Sequence, residues 1–295
     1  MSGVYHRGSL AVQERVGVRG PAEHVGRSIG TGIRDVAAAF LELQPHLVVG
    51  AADGAGRMWA SLLTGPPGFV RATGPHRIAV VGAVPAGDPL AEALATDGTR
   101  IGTIALDPRT RRRMRLNGTL AATPRGFAVE AERVFANCPK YLQRRQPLEL
   151  VEEGVGVVRH GDALTPGQVR AVRGADTFFI ATTAEADGVD ASHRGGLPGF
   201  VEVLSPVELA WPDYAGNAMF LTLGNLAVDP RAGLLFPDWE SGAVLQLTGR
   251  ARTEFGADGS RRTRFRVESV VESVHPGRLL WSTPEYSPHL GSTTR

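Results

Sequence analysis

The sequence predicts a mainly β protein built from two tandem copies of one small barrel unit. The first observation is a repeat with a constant step. Pro67-Gly68-Phe69-Val70 recurs as Pro198-Gly199-Phe200-Val201, and 198 − 67 is 131. The same step carries Ala60-Ser61 onto Ala191-Ser192, Gly65 onto Gly196, Arg100 onto Arg231 and Gly102 onto Gly233. It also carries Asp107 onto Asp238, Leu116 onto Leu247 and Gly118 onto Gly249, so residues 47–120 match 178–251 without a gap. The unit is far longer than a solenoid repeat, so each copy is expected to have its own core. The second observation is a series of short strand patterns separated by turn signals, which favours small barrels over a parallel sheet. The third is length: 295 residues, 42% hydrophobic and 21% charged, suit two globular domains. Two related domains in one chain imitate a symmetric dimer, and their seam is a natural place for a ligand.

The elements follow in order. Residues 1–30 are rich in Gly and Arg, show little periodicity, and read as an arm or loop. Residues 33–43 (IRDVAAAFLEL) read as a helix, with Ile33, Val36, Phe40 and Leu43 at helical spacing. From Leu47 the period changes, and HLVVGAADGAGRMWASLLT reads as strand, turn, strand around Asp53-Gly54 and Gly56. Residues 68–84 give two more strands. PAGDPLAEALATDG reads as a short helix capped by Asp88 and stopped at Gly98. TRIGTIALD, RRMRLNGTLAAT and residues 127–135 read as strands, and the chain turns at Asn137-Cys138-Pro139.

In the second copy, strands are expected at 178–183, 189–193, 200–204, 208–211, 232–236, 243–254 and 263–271. A turn is expected at 185–188 and a short helix within 217–229. Between the copies, Thr165 can cap a helix through Pro166–Val172. The resulting division is an arm (1–30), a first domain (31–145), a connection (146–176), a second domain (177–280) and a tail (281–295).

Composition excludes several function classes. A single cysteine, Cys138, forbids an internal disulfide and points to a reducing compartment, hence the cytoplasm. The N-terminus (MSGVYHRGSLAVQERVGVRG) lacks the apolar core of a signal peptide, and no apolar run approaches a membrane span. Lys140 is the one lysine among 32 basic residues, and the net charge of +2 gives little support for nucleic-acid binding. The eight histidines have no metal-ligand spacing and no cysteine cluster beside them. There is no P-loop and no dinucleotide fingerprint between a strand and a helix.

Three segments in order, VDASHRGGLPGFVEV, PDYAGNAMFLTLGNLAVDPRAGLLF and LQLTGRA, carry a family resemblance. The chain resembles the pyridoxamine 5'-phosphate oxidase-like flavin-binding proteins, closest to a predicted flavin-nucleotide-binding branch whose members often carry two such units. The resemblance is strong over 178–255 and weaker over 40–145. It implies split β-barrels with FMN held at the seam between them, the two halves forming an intramolecular pseudo-dimer. The family includes oxidases, flavin or deazaflavin reductases and haem-binding relatives, so deazaflavin and haem are alternative cofactors and fold alone does not give the chemistry. A small-molecule substrate, and a separate reductase or NAD(P)H as electron donor, are the implied partners. Either a monomer acting as pseudo-dimer or a further homodimer fits.

The candidate site residues follow from phosphate chemistry and from the resemblance. Ser192, His193 and Arg194, flanked by Gly195-Gly196, supply a hydroxyl, backbone donors and a cation after a strand. The first copy has Ser61-Leu62-Leu63-Thr64 there and lacks the charged pair. Asn217, Thr222 and Asn225 can hydrogen-bond a flavin ring or its ribityl chain, although Asn and Gly at 216–225 also suit turns and caps. Relatives often place Arg at the positions of Ala218 and Gly224, which this chain does not. Arg113 and Arg115 fall on one face of a strand, opposite Met114 and Leu116, and read either as a solvated face or as an anion site at the seam. Gln246 occupies the place equivalent to Arg115, and a strand Gln there can contact flavin in relatives. Lys140 and Tyr141 add a point charge and a flat face. Trp59, Trp211 and Trp239 read as core or seam packing. His193 is the one candidate proton carrier near the motif, since an imidazole titrates near neutrality. Cys138 reads as a small apolar residue, with no His or Asp placed to activate it.

Overall fold

A computed structural model describes residues 4–292 apart from 83, 137, 152–155, 185–187 and 276–277. The expected turn at 185–188 and the turn residue Asn137 fall largely outside the described residues. The protein is mainly β. In the first half, β1 (His46–Ala52), β2 (Met58–Thr64), β3 (Val70–Gly74), β4 (Arg77–Val81), β5 (Arg100–Asp107), β6 (Arg112–Thr123) and β7 (Gly126–Ala136) form one antiparallel sheet. Its order is β2-β1-β5-β6-β7-β4-β3. After β8 (Pro147–Val151) and β9 (Val157–Gly161), the second half repeats the set. Its strands are β10 (Thr177–Thr183), β11 (Val189–Gly195), β12 (Glu202–Ser205), β13 (Glu208–Pro212), β14 (Arg231–Pro237), β15 (Val244–Phe255) and β16 (Arg261–Val274). Their order, β11-β10-β14-β15-β16-β13-β12, is the same, with β9 added beside β16. β17 (Arg278–Trp281) pairs with β8.

The step of 131 holds in three dimensions. It carries β1 onto β10, β2 onto β11 and β4 onto β13 residue for residue. It also carries the bulge between Asn117 and Gly118 onto that between Thr248 and Gly249. Each sheet wraps its own core. One core holds Trp59, Val70, Ile78, Ile101, Leu116 and Val129; the other holds Phe178, Val201, Trp211, Leu234, Leu247 and Phe265. Alternating strand residues face these cores, and the opposite faces of β1, β2, β5 and their copies meet at the seam. There Val48, Met58, Ala60 and Ile104 pack with Phe179, Val189, Ala191 and Leu235, their equivalents 131 positions on. This is the self-complementary contact of a two-fold dimer, made within one chain. Close approach requires glycine at its centre. A Cβ on Gly102 would lie 2.8 Å from backbone atoms of β11, and one on Gly233 2.5 Å from the Cα of Trp59 in β2.

Several segments differ from the sequence reading. The arm contains α1 (Arg7–Arg15) and α2 (Arg19–Gly26). They were illegible as helices because their apolar residues are few; what holds them is burial of Tyr5 and Ala22 with Phe135, Met219 and Leu221. The connection contains β8, β9 and α4 (Pro166–Gly174), which starts with a full capping box between Thr165 and Gln168. By the same step α4 is the copy of α3 (Asp35–Glu42). The tail is anchored: Trp281 and Leu290 are 3% and 2% exposed. The helix expected after Asp88 is only a 3-10 turn at Ala93–Ala95, confined between Pro89 and Gly98, whose φ is +81°. Its copy is a true helix, α5 (Leu221–Val228). No helix among the described residues is long and apolar enough to cross a membrane.

Candidate functional site

A cleft of about 870 Å³, counting its open side, lies at the seam and takes residues from both halves. β6 supplies Arg113 and Arg115, and the segment after β7 supplies Cys138, Lys140 and Tyr141. β11 supplies Ser192, His193 and Arg194. The loop from β13 into α5 supplies Asp213, Tyr214, Asn217, Met219 and Thr222. Eight sequence-selected residues thus share one cleft. Two lie elsewhere. Asn225 is buried between His6 Nε2 at 2.9 Å and Thr182 Oγ1 at 3.0 Å. Gln246 bonds Ser61 in the opposite half of the seam.

Strand alternation places Arg113 and Arg115 on one face of β6, and the seam turns that face toward β11. Arg115 donates to both oxygens of Asp190 at 3.2 Å and to Ser192 Oγ. Asn117 also donates to Asp190, at 3.1 Å. Arg194 donates to the same Ser192 Oγ at 2.7 Å. An arginine can only donate, so both lone pairs of the Ser192 hydroxyl are engaged and its own proton is left for an acceptor. Arg113 donates to His193 Nδ1 at 2.8 Å and to the Cys138 carbonyl at 2.6 Å.

The site carries excess positive charge. Arg115 is paired with Asp190, and Asp213 with Arg261 at 2.8 Å. Arg113, Arg194 and Lys140 form no ion pair among the described residues. Burial first, and then Arg115 and Arg194, push Arg113 down to about 9. Burial likewise lowers Arg194, partly offset by Asp213. A guanidinium does not give up its proton under ordinary conditions, so these shifts express the cost of holding like charges together out of water. Buried donors are also left without partners: Arg113 Nε, Arg115 Nε and His193 Nε2. Such groups are expensive unless a ligand or water meets them.

His193 does not keep the near-neutral titration that favoured it as a proton carrier. Burial, followed by Arg113, Arg194 and Arg115, holds its pKa well below the usual value. Because Arg113 donates to Nδ1, the ring is the neutral tautomer with hydrogen on Nε2. It is a fixed donor.

Backbone strain concentrates in the same place. Of four non-glycine residues with positive φ among the described residues, Tyr141 (63°), Ala218 (60°) and Phe220 (52°) line the cleft. Such conformations persist where surrounding structure over-determines them, often at functional sites. Phe220 precedes α5 and gives it no side-chain cap, and the first residues of α5, Leu221 and Thr222, line the cleft. Tyr141 and Tyr214 form a ring pair with centroids 5.1 Å apart, and the Tyr141 hydroxyl donates to the Ala215 carbonyl at 3.0 Å. Gly224 is unavailable for an arginine: a Cβ there would stand 2.5 Å from the Ser9 backbone, because α1 packs on α5. Trp59, Trp211 and Trp239 are buried packing residues.

Sequence reasoning missed Asp190, Asn117, Asp213 and Tyr214. Asp190 had a signal: it lies between Val189 and Ala191 in a strand, and its equivalent 131 positions earlier is Trp59. A carboxylate at a buried strand position calls for a cation opposite.

No family model matches the chain, and no curated protein matches it. Solved structures do. A HupZ protein of Group A Streptococcus is 12% identical, over 39% of this chain and 98% of its own, with a TM-score of 0.31. A putative pyridoxamine 5'-phosphate oxidase from Lactobacillus delbrueckii is 17% identical, over 37% of this chain and 93% of its own, at 0.31. An FAD-binding protein from Mesorhizobium loti is 12% identical, over 40% of this chain and 99% of its own, at 0.28.

Proposed function

We propose that the seam cleft binds the phosphate of FMN and that the chain is a flavin-dependent oxidoreductase of the pyridoxamine 5'-phosphate oxidase-like superfamily. The observation that carries this reading is the Ser192 hydroxyl. Two arginines donate to its oxygen and leave its own proton for a further acceptor, within a cluster of cations that lacks matching carboxylates. A phosphate dianion supplies the charge and the acceptor atoms that this arrangement lacks.

In this reading Ser192, Arg194 and the first amides of α5 hold the phosphate, with Arg113 and Lys140 adding charge. Asp190 fixes Arg115 so that its guanidinium stays beside Ser192. His193 Nε2–H, Asn217 and Thr222 are donors for the ribityl chain or ring edge, and Tyr141 and Tyr214 offer flat faces. Bound FMN supplies the redox chemistry, while the protein binds, orients and limits access. A small-molecule substrate and a separate reductase or NAD(P)H donor complete the proposal. So does a cytoplasmic chain acting as its own pseudo-dimer.

A non-catalytic flavin carrier is the second reading, favoured by one observation: Arg113 donates to His193 Nδ1, and burial with the neighbouring arginines disfavours the protonated imidazole. One experiment addresses both. Purified protein is expected to be yellow with flavin absorbance, and bleaching by NADH or NADPH supports catalysis over carriage. A Soret band would replace flavin with haem. A colourless protein that takes up no added FMN would overturn the proposal.

A further inference from the structure

The two-fold relation between the halves implies a second place like the first, and it exists. The step of 131 takes Ser192 to Ser61, Arg115 to Gln246 and the first residue of α5, Leu221, to Leu90. Ser61 and Gln246 are 0% and 1% exposed. Gln246 Nε2 donates to Ser61 Oγ at 3.0 Å, reproducing the bond of Arg115 to Ser192 across the seam. The remaining proton of Ser61 has a definite target. Ser61 Oγ donates to Asp88 Oδ1 at 2.7 Å, Gln246 Nε2 to Asp88 Oδ2 at 3.2 Å, and the Leu90 amide to Asp88 Oδ1 at 2.8 Å.

One carboxylate thus collects a serine hydroxyl, a strand side chain and the Leu90 amide, which lies just ahead of the 3-10 turn. In the cleft the equivalent Arg115 is already paired with Asp190, whereas the Ser192 hydroxyl proton has no such acceptor among the described residues. Asp88 corresponds to Met219, so no carboxylate of the chain fills the cleft in that way. The cations are gone from the twin: Arg113, Arg115 and Arg194 become Val244, Gln246 and Leu63. Asp88 forms no ion pair among the described residues, and burial pushes its carboxyl up against three hydrogen bonds and the nearby His275.

We propose that the seam carries a second anion cradle, filled permanently by the Asp88 carboxylate of the chain itself, so that one anionic cofactor binds per chain and not two. The inference rests on reading the first cleft as an anion site. Asp88 then marks, by symmetry, where the ligand's anionic group sits there: on Ser192 and the first amide of α5. Duplication has left one cradle for a ligand and closed the other with an internal substitute.

Chemical rescue tests this in the full chain. Asp88→Ala should melt several degrees below the parent protein, and sodium acetate should narrow that gap while sodium chloride at equal ionic strength should not. Acetate bound in the first cleft stabilises both proteins alike and leaves the gap unaffected. A gap indifferent to acetate overturns the proposal. Should Asp88→Ala not fold, Gln246→Arg, which returns the missing cation beside Asp88, should raise the melting temperature; an unchanged or lowered value overturns the proposal. FMN titration of the parent protein judges the underlying reading separately. No binding removes the reading of the first cleft, one equivalent agrees with both, and two equivalents sink the closed twin alone.

Discussion

Replacing Arg194 with alanine separates binding from folding. Arg194 donates to Ser192 Oγ at 2.7 Å and to the His193 carbonyl at 3.0 Å, and stands among cations that lower one another. Removing it deletes one charge-assisted contact to the phosphate, a loss of about 1.5–3 kcal/mol. At about 1.4 kcal/mol per decade, FMN affinity should fall roughly 10- to 150-fold. The apo protein should not suffer equally, because Ser192 keeps Arg115 and one member of a repelling cluster is gone; its unfolding free energy should fall by less than the binding free energy. Fluorescence titration of FMN and urea unfolding of the apo protein measure the two quantities. An affinity within twofold of the parent value would refute the placement of phosphate at Ser192 and Arg194. So would a loss of affinity matched by an equal loss of apo stability, since the change would then be structural.

Other substitutions test the supports of the site. Asp190→Asn leaves Arg115 buried without its carboxylate and should destabilise by about 3–5 kcal/mol in urea unfolding, the range for breaking a buried pair; a loss under about 1 kcal/mol would show that the pair contributes little. His46 lies buried between Trp239 and Trp281, and burial pushes its pKa down to about 4 from 6.5. As pH falls through 6.5 the unfolded chain gains a proton that the folded chain refuses until about pH 4. Stability is therefore lost over that window, by up to about 3 kcal/mol. His46→Gln should flatten this acid limb, and an unaltered limb would assign it to other groups. Gly224→Ala drives a methyl into the Ser9 backbone and should cost about 1–3 kcal/mol. It should also free α1 for limited proteolysis, and a protease-resistant α1 would contradict the packing described.

How far the sequence could be read depended on the range of the interaction. The duplicated strands were legible because alternation, Pro-Gly turns and seam glycines are local features that recur together. The kinship of α3 and α4 was not, since DVAAAFLE and PGQVRAVR share almost no residues and only their places in the fold match. Strand alternation put Arg113 and Arg115 on one face. Whether that face met water or Ser192 depended on a contact 77 residues away. Asn225 had the right residue type in the right segment, yet α1 claims it through His6, and nothing in the sparse apolar pattern of α1 announced that contact. Gln246 was correctly paired with Arg115 as an equivalent; the pairing places it in the twin cradle and not in the cleft.

Native mass spectrometry of the full chain after incubation with FMN tests the central claim most directly. A single adduct with the mass of FMN on each chain, lost on Ser192→Ala/Arg194→Ala but retained on Ser61→Ala, is the predicted spectrum. An unadducted chain, or an adduct that survives loss of Ser192 and Arg194, would contradict it.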